Sequence, residues 1–512
     1  MHFFKKKLNT LQNSIYKNYF LLIYFLCFTL LLLSFLTFLK WGPIITSDTL
    51  SYFDLANRVK EGIFPYSSSY SPGYPFLVGS ITKISNLTYE KVAALIAFFV
   101  FLSSVFLWFR IVQVIFNKKA KWYLYLLIAI FVTNLWWSIK VIYFAHADTI
   151  FYILSILIAY HILLWIENIS WKRFILICAL ASMSVWVKYN GLIFLPFLVL
   201  LPLVQRNLKS KILFSLLPIT IISASFILFK HINKGQVIKH LEINREFVFW
   251  QGNISSETLL VNIQDAGKVF IEYFLSNLYR NYATEILNVI GVILILGIGL
   301  FLLLRYKNSS TLIFYSFFLL YLIGYMCFSH FTNHTEINQR TMFPAYIFLT
   351  ISFLFLFKSS PFLSRKILLI FLTLNIARTF IGFTDWIQRA PMDSFVNIEI
   401  FKNKKSLVVL KNLMQERNIS PIMVYTNNQR YLTPVMGYDF VSKFPGKIEF
   451  TRGKFREKSE VQLKIEKEKM MSDLLTKNSI LVIFDSQEKQ ELISKYSSFR
   501  ILEIESDLII YK

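Results

Sequence analysis

Residues 147–166 read ADTIFYILSILIAYHILLWI, twenty positions in which Asp148 alone carries a formal charge. An α-helix needs about 20 predominantly apolar residues to cross a hydrocarbon core of about 30 Å, so this stretch is long enough to span a bilayer. A carboxylate at the mouth of such a span is costly unless it faces a wet cavity or a partner. Asp148 therefore has two readings. It caps the first backbone amides of the helix, or it belongs to a polar site.

Working outward, runs of the same kind recur at 18–39, 91–116, 122–139, 174–188, 190–204, 212–230, 286–304, 311–329, 341–357 and 367–386. They set the expectation of a polytopic α-helical membrane protein with about eleven spans. The runs 174–188 and 190–204 are short and joined only by Lys188, Tyr189, Asn190 and Gly191, so the count is soft there by one or two. A large soluble protein with an apolar core would not string its apolar residues into uninterrupted runs. Composition agrees: of 512 residues 55% are hydrophobic and only 16% charged, against about 25% charged in soluble domains. The first run follows Lys5, Lys6 and Lys7 and lacks the short h-region and small-residue cleavage site of a signal peptide, so it reads as an anchor.

The net charge of +24 raises the question of nucleic acid. The basic residues lie mostly in short loops and in the tail after Trp386, without Arg-rich patches interleaved with aromatics, and nucleic-acid binding is set aside. Cys27, Cys178 and Cys327 sit inside apolar runs with no CxxC or Cys/His spacing. Neither a disulfide framework nor a zinc finger is indicated.

Lys and Arg in short loops mark the cytoplasmic side. Alternate loops hold Lys118, Lys119 and Lys121; Lys172 and Arg173; Arg206, Lys209 and Lys211; Arg305 and Lys307; Lys358, Arg365 and Lys366. The intervening short loops carry Lys140, Lys188 and Arg340. This pattern predicts a cell-membrane protein (inner or plasma membrane) with a cytoplasmic N-terminus. The longer loops 40–90 and 231–285 face outward and, with their amphipathic stretches, are expected to lie along the membrane surface. Residues 1–386 form the membrane part. Residues 387–512 alternate β-type runs (Ile422–Tyr425, Ile448–Phe450, Ile480–Phe484, Ile501–Ile504, Leu508–Tyr511) with helical patterns (Leu407–Arg417, Val461–Leu475, Glu488–Tyr496). They predict a small extracytoplasmic α/β domain. Asp485 follows one of these strands and reads as a helix cap, and no GxGxxG or P-loop is present in the tail.

The first outward loop reads Ser47-Asp48-Thr49-Leu50-Ser51-Tyr52-Phe53-Asp54-Leu55-Ala56, then Gly62, then Ser71-Pro72-Gly73-Tyr74-Pro75 as the lead into the next span. At the membrane surface the Asp48 carboxylate could take a proton from an attacking hydroxyl. Position alone favours a helix N-cap for it. Asp54 reads as a solvated face residue.

The pattern Asp48-x3-Tyr52-x3-Ala56, Gly62 and Ser71-Pro72-x2-Pro75 resembles the first extracytoplasmic loop of GT-C fold glycosyltransferases. It is most similar to the bacterial branch related to protein O-mannosyltransferases and the aminoarabinose transferase of lipid A. The resemblance covers roughly residues 15–390. It implies a polyprenyl-phosphate-linked sugar as donor and inverting transfer to an acceptor outside the cytoplasm, with Asp48 as base or acceptor-positioning residue. Residues His146-Ala147-Asp148 resemble the acidic opening of a later helix, and make Asp148 a second catalytic candidate. Lys188-Tyr189-Asn190-Gly191 resembles the basic residue–x2–Gly turn, and implies that Lys188 holds the donor phosphate. A snorkelling lysine is the alternative. Arg340-Thr341-Met342-Phe343-Pro344 resembles an Arg-Tyr-x-x-Pro motif with Thr341 in place of the aromatic. It offers Arg340 as a second phosphate contact, since guanidinium forks pair well with phosphate; an ordinary surface arginine is the alternative.

Tyr52, His146, His330, His334 and Glu336 complete the set as donor or acceptor contacts. His330, His334 and Glu336 have a spacing that would allow zinc, but they fall where a helix leaves the membrane and polar residues are expected anyway. No metal is assigned there. A divalent cation bridging carboxylate and phosphate suits this fold without being required by the sequence. The sequence thus points to a membrane glycosyltransferase acting on a glycan, lipid or protein hydroxyl. A transporter or lipid-linked glycan flippase is the alternative, disfavoured by the lack of matching halves. A ligase joining whole oligosaccharides is poorly separated from single-sugar transfer.

Overall fold

The computed structural model describes residues 42–44, 47–65, 70–117, 122–133, 135–204, 210–232, 256–275, 284–305, 310–331, 339–359, 405–416, 423–426, 441–443, 448–451, 454–457, 460–476, 479–483, 493–494, 496–504 and 507–511, with isolated positions in 25–36 and 377–381. The chain is a helical membrane protein with a small C-terminal sheet. Its helices are α1 (Ser47–Lys60), α2 (Gly73–Ser85), α3 (Tyr89–Ile115), α4 (Trp122–Thr133), α5 (Trp136–Ile142), α6 (Ala147–Glu167), α7 (Trp171–Val187), α8 (Phe194–Val204), α9 (Lys211–Ile232), α10 (Ser256–Leu275), α11 (Thr284–Arg305), α12 (Ser310–Phe331) and α13 (Gln339–Ser359). Among the described residues six are long and apolar enough to cross a membrane: α3, α6, α9, α11, α12 and α13. The expected spans 18–39 and 367–386 lie outside the described residues, save isolated helical positions.

One expected span and one expected pair of spans are broken elements. The run 122–139 divides into α4 and α5 at Leu135, whose backbone is extended (φ −58°, ψ 138°). The Ser138 hydroxyl turns back to the Val132 carbonyl (3.2 Å) at this break, satisfying a backbone group the helix leaves unpaired. The runs 174–188 and 190–204 become α7, an extended Lys188 (φ −156°, ψ 130°), a 3-10 turn at Tyr189–Ile193, and α8.

The long loops differ from a simple surface layer. Pro72 and Pro75 open α2, a separate 13-residue helix, rather than the next span, which starts at Tyr89. In α1 the apolar positions Tyr52, Phe53, Leu55, Ala56 and Val59 are buried, as the helical spacing predicts. Asp54 is partly exposed and reaches Arg58 one turn on (3.7 Å). The α1–α2 hairpin is tight enough that a Cβ on Gly79 would come within 2.5 Å of the Ala56 carbonyl oxygen and 2.6 Å of Val59 Cβ.

Within 231–285, α10 enters the bundle instead of lying on its surface. The Tyr346 hydroxyl donates to the Val269 carbonyl (2.9 Å), and the Tyr273 and Thr350 hydroxyls are 2.7 Å apart. Both pairs are separated by the same 77 positions, so α10 and α13 run parallel and in register. Tyr273 and Tyr346 also pack around Trp137, burying large aromatic surface where helices cross. The faces of α9 and α11 away from this core expose Ile212, Leu213, Ile227, Ile286, Ile293, Leu296 and Leu304, a surface suited to lipid rather than water.

The C-terminal sheet has five strands, β1 (Met423–Thr426), β2 (Val441–Lys443), β5 (Ser479–Ile483), β6 (Arg500–Ile504) and β7 (Asp507–Tyr511), in the order β2-β1-β5-β7-β6. A hairpin of β3 (Ile448–Thr451) and β4 (Lys454–Glu457) stands apart. Strands β1, β2 and β5 are parallel, while β7 runs antiparallel to both β5 and β6. Helix α14 (Lys405–Glu416) buries Leu407 and Leu410 on one face, and α15 (Glu460–Thr476) buries Met470 and Leu474 on the other. That is why β5 and β7 are buried along their whole length and apolar after their first residues, Ser479 and Asp507. Two buried polar pairs tie the helices to the sheet: Ser406 donates to Asp507 and Tyr425 to Asp473, each at 2.6 Å. Burial, reinforced by the Asp473 carboxylate, pushes the Tyr425 hydroxyl well above the usual tyrosine range.

Gly79→Ala should force α1 and α2 apart and destabilise the protein by about 1–3 kcal/mol. Gly297→Ala meets nothing within 4 Å and should cost nothing. Thermal unfolding of the two variants in detergent checks this, and equal midpoints would show that the hairpin is not close-packed.

Candidate functional site

The site is built where helices end. Ile44, just before α1, forms an isolated parallel bridge with Phe144, just before α6. The Ile44 amide donates to the Tyr143 carbonyl (2.9 Å) and the Ala145 amide to the Ile44 carbonyl (3.1 Å). Non-helical backbone at a membrane boundary must satisfy its polar groups internally, and this bridge does so. It also brings the first turns of α1 and α6 to the same end of the bundle. The Thr149 hydroxyl lies 2.7 Å from the Phe144 carbonyl oxygen, holding the α6 lead-in from the helix side.

His146 occupies the N-cap position of α6 without capping through its side chain, and Asp148 sits in the first turn. The Asp148 carboxylate is therefore not a cap. One oxygen, Oδ1, accepts from Lys188 Nζ, and the other, Oδ2, from Arg340 Nε at 2.5 Å. Lys188 ends α7 and Arg340 begins α13. Arg340 Nη2 is also 3.1 Å from His146 Nδ1. A guanidinium can only donate, so Nδ1 is the acceptor and the ring proton resides on Nε2.

Close backbone contact fixes the Lys188 turn. A Cβ on Gly191 would collide with Ser184 Oγ and lie 2.6 Å from the Val185 nitrogen, while one on Gly73 would lie 2.8 Å from the Trp186 carbonyl oxygen. The N-terminus of α2 is thus pressed against the last turn of α7. Tyr52, on α1, is buried and packs edge-on to Tyr70 (4.9 Å), Tyr74 (5.3 Å) and His146 (6.2 Å). These rings form an aromatic wall beside the charged cluster.

Five of the predicted residues therefore meet: Tyr52, His146, Asp148, Lys188 and Arg340. Lys188 is a salt-bridge partner rather than a snorkelling side chain, and Arg340 is likewise paired. Asp48 is the second residue of α1, one helical turn before Tyr52, so the helix starts before it rather than at Thr49. Its side chain lies outside the described residues, as does that of His330, in the last turn of α12. His334, Glu336 and Asp485 lie wholly outside them. Sequence reasoning missed the Ile44–Phe144 bridge and Thr149. The bridge has no local signal because it joins segments 100 positions apart, and Thr149 has none because its hydroxyl turns back to the nearby Phe144 and Val141 carbonyls.

The donor set decides what this end can hold. The carboxylate is saturated by two cations that together outweigh it, so the cluster carries surplus positive charge. That suits an anion such as phosphate. Among the described residues no group of three or more His, Cys, Asp or Glu side chains is placed to ligate a metal.

No family model matches the chain, and no curated protein matches it. Among solved structures it is similar to ArnT from Cupriavidus metallidurans bound to undecaprenyl phosphate, at 12% identity over 95% of this chain and 97% of that one, with a TM-score of 0.45. It is similar to the same protein in the apo state at 8% identity, with the same coverage and a TM-score of 0.43. The Archaeoglobus fulgidus oligosaccharyltransferase tethered with an acceptor peptide is similar at 11% identity over 93% of this chain and 70% of that one, with a TM-score of 0.48. Both proteins are GT-C fold glycosyltransferases, the kind the sequence resembles.

Asp148→Asn and Arg340→Gln should each cost about 1–3 kcal/mol, below the roughly 3–5 kcal/mol of a fully buried pair because Arg340 is 38% exposed. The double variant should cost at least about 1 kcal/mol less than the summed singles. Strict additivity in a denaturation cycle would mean the pair does not form.

Proposed function

We propose that this protein is an integral membrane glycosyltransferase that moves a sugar from a polyprenyl-phosphate donor to an acceptor hydroxyl outside the cytoplasm. The observation that carries the reading is the convergence of Lys188 and Arg340 on one carboxylate, beside the first turn of the helix that bears Asp48. A positively biased cluster at the mouth of a helical membrane bundle fits a lipid-linked phosphate, which reaches it from the bilayer. The lack of a nucleotide-binding motif agrees with such a donor.

In this reading the acceptor oxygen attacks the anomeric carbon from the face opposite the phosphate. The new C–O bond forms as the bond to the phosphate oxygen breaks, so configuration inverts. The hydroxyl proton passes to the Asp48 carboxylate, while Lys188 and Arg340 stabilise the charge growing on the leaving phosphate. Tyr52 and His146 wall the side on which donor and acceptor meet. Residues 387–512 would stand outside the cytoplasm with the site, as an acceptor-positioning unit, with the N-terminus on the cytoplasmic side of the cell membrane. Acceptors of three kinds fit equally: glycan, lipid or protein.

Purified protein incubated with labelled polyprenyl-phosphate sugars should consume them, and Asp48→Asn and Arg340→Gln should each lower the rate at least about 100-fold. Full activity in Asp48→Asn would remove Asp48 as the base. Movement of lipid-linked sugar across vesicles without its consumption would turn the assignment to a flippase.

A further inference from the structure

We propose that the Asp148 carboxylate sits in the seat of the donor phosphate, as a built-in competitor that donor binding displaces from Lys188 and Arg340. The inference rests on the phosphate-binding part of the function proposed above and adds to it a regulation of that same site.

Three observations carry it. First, the carboxylate presents its two oxygens to two different cations, which is how two oxygens of a phosphate would be held. Second, exposure is graded. The Lys188 side chain is 21% exposed and that of Arg340 38%, while that of Asp148 is 3% exposed. An anion arriving from the open side meets the cations first and finds the carboxylate behind them. Third, the helix ends favour this polarity. Asp148 in the first turn of α6 lies at the positive end of a helix dipole, and Lys188 at the end of α7 lies at a negative one. Both are well placed without each other. Arg340, in the first turn of α13, sits at the positive end of its helix and is well placed only opposite an anion.

Charge makes the exchange even. A sugar-phosphate-lipid diester carries one negative charge, as the carboxylate does, so it can replace the carboxylate on the two cations charge for charge. The phosphate monoester left after transfer carries up to two near neutral pH and would hold the cations more tightly than the donor did. A carboxylate waiting behind them assists release of that product.

The competing account makes Asp148 a plain structural counter-ion. Removing its charge would then loosen both cations and weaken phosphate binding. A competitor closed nine-tenths of the time weakens apparent affinity about tenfold, and removing it restores that factor. The test measures binding of a polyprenyl monophosphate without sugar to the full chain in detergent. Asp148→Asn should bind about 10-fold more tightly than wild type, Asp148→Glu should stay near wild type, and Arg340→Gln should bind more weakly. Inorganic phosphate should rank the variants in the same order at lower affinity, which separates a headgroup effect from one of the prenyl chain. Equal or weaker binding by Asp148→Asn, with cooperative melting retained, overturns the proposal, and so does a reversed ranking with inorganic phosphate. If Asp148→Asn folds only when purified with polyprenyl phosphate, the proposal stands. If the lipid does not restore it, the proposal fails. Tighter binding by Asp148→Asn with no sugar transfer by wild type would keep this inference and remove glycosyl transfer.

Discussion

A carboxylate withdrawn from water at the end of a membrane bundle costs several kcal/mol unless cations offset it. Asp148 meets that condition with partners from two remote parts of the chain, Lys188 40 positions away and Arg340 192 positions away. Each partner terminates a helix, so satisfying one buried charge brings the ends of α6, α7 and α13 together. The geometry of the open end follows from this. His146 is within reach of the guanidinium because it immediately precedes α6, and Tyr52 is beside His146 because the Ile44–Phe144 bridge ties the lead-in of α1 to that of α6.

The rest of the bundle is organised by packing rather than charge. The hairpin of α1 and α2 closes over bare glycine at position 79, and α2 is pressed on the end of α7 at Gly73, next to Lys188. Deeper in, α10 follows α13 in parallel through Tyr273–Thr350 and Val269–Tyr346, two hydrogen bonds that share a register. Helix α13 thus has Arg340 at its mouth and a tyrosine-rich seam along its length. Anything that shifts α13 along its axis moves the cation of the site and the packing of α10 together.

Much of this was readable in the sequence, and the reasons differ by element. The apolar runs gave the spans because burial in lipid demands length and hydrophobicity over a whole segment, a property of local composition. The strands Ile480–Phe484 and Leu508–Tyr511 were found within a residue of their observed limits because both faces are covered and the run is continuously apolar. The strands Val441–Lys443 and Lys454–Glu457 were missed, being short and mostly polar. The kink at Leu135 and the immersion of α10 were missed for another reason. The first depends on a serine turning back to a carbonyl, the second on tyrosines finding acceptors 77 positions away, and neither leaves a periodic trace. For the site, the residue types were legible because ionised groups beside spans are costly. Their mutual pairing was not, since Asp148 was read as a cap or an independent catalytic group and the cations as separate phosphate contacts.

That pairing bears on why the charges are there at all. Once the three ions are in place, removing one leaves the others uncompensated and the fold suffers. Yet a buried ion cluster is weak as a source of stability, and apolar side chains of similar volume commonly serve a fold as well or better. The neighbours of Asp148 show that this chain has such packing available: Phe151 and Tyr152, within its next turn, bury their rings against Phe343, three residues beyond Arg340. Three leucines or methionines in place of Asp148, Lys188 and Arg340 would extend that seam to the end of the bundle. The chain instead keeps two cations partly open to the outside with their carboxylate behind them. Stability gives no reason for that arrangement, and the anion binding proposed for the site would.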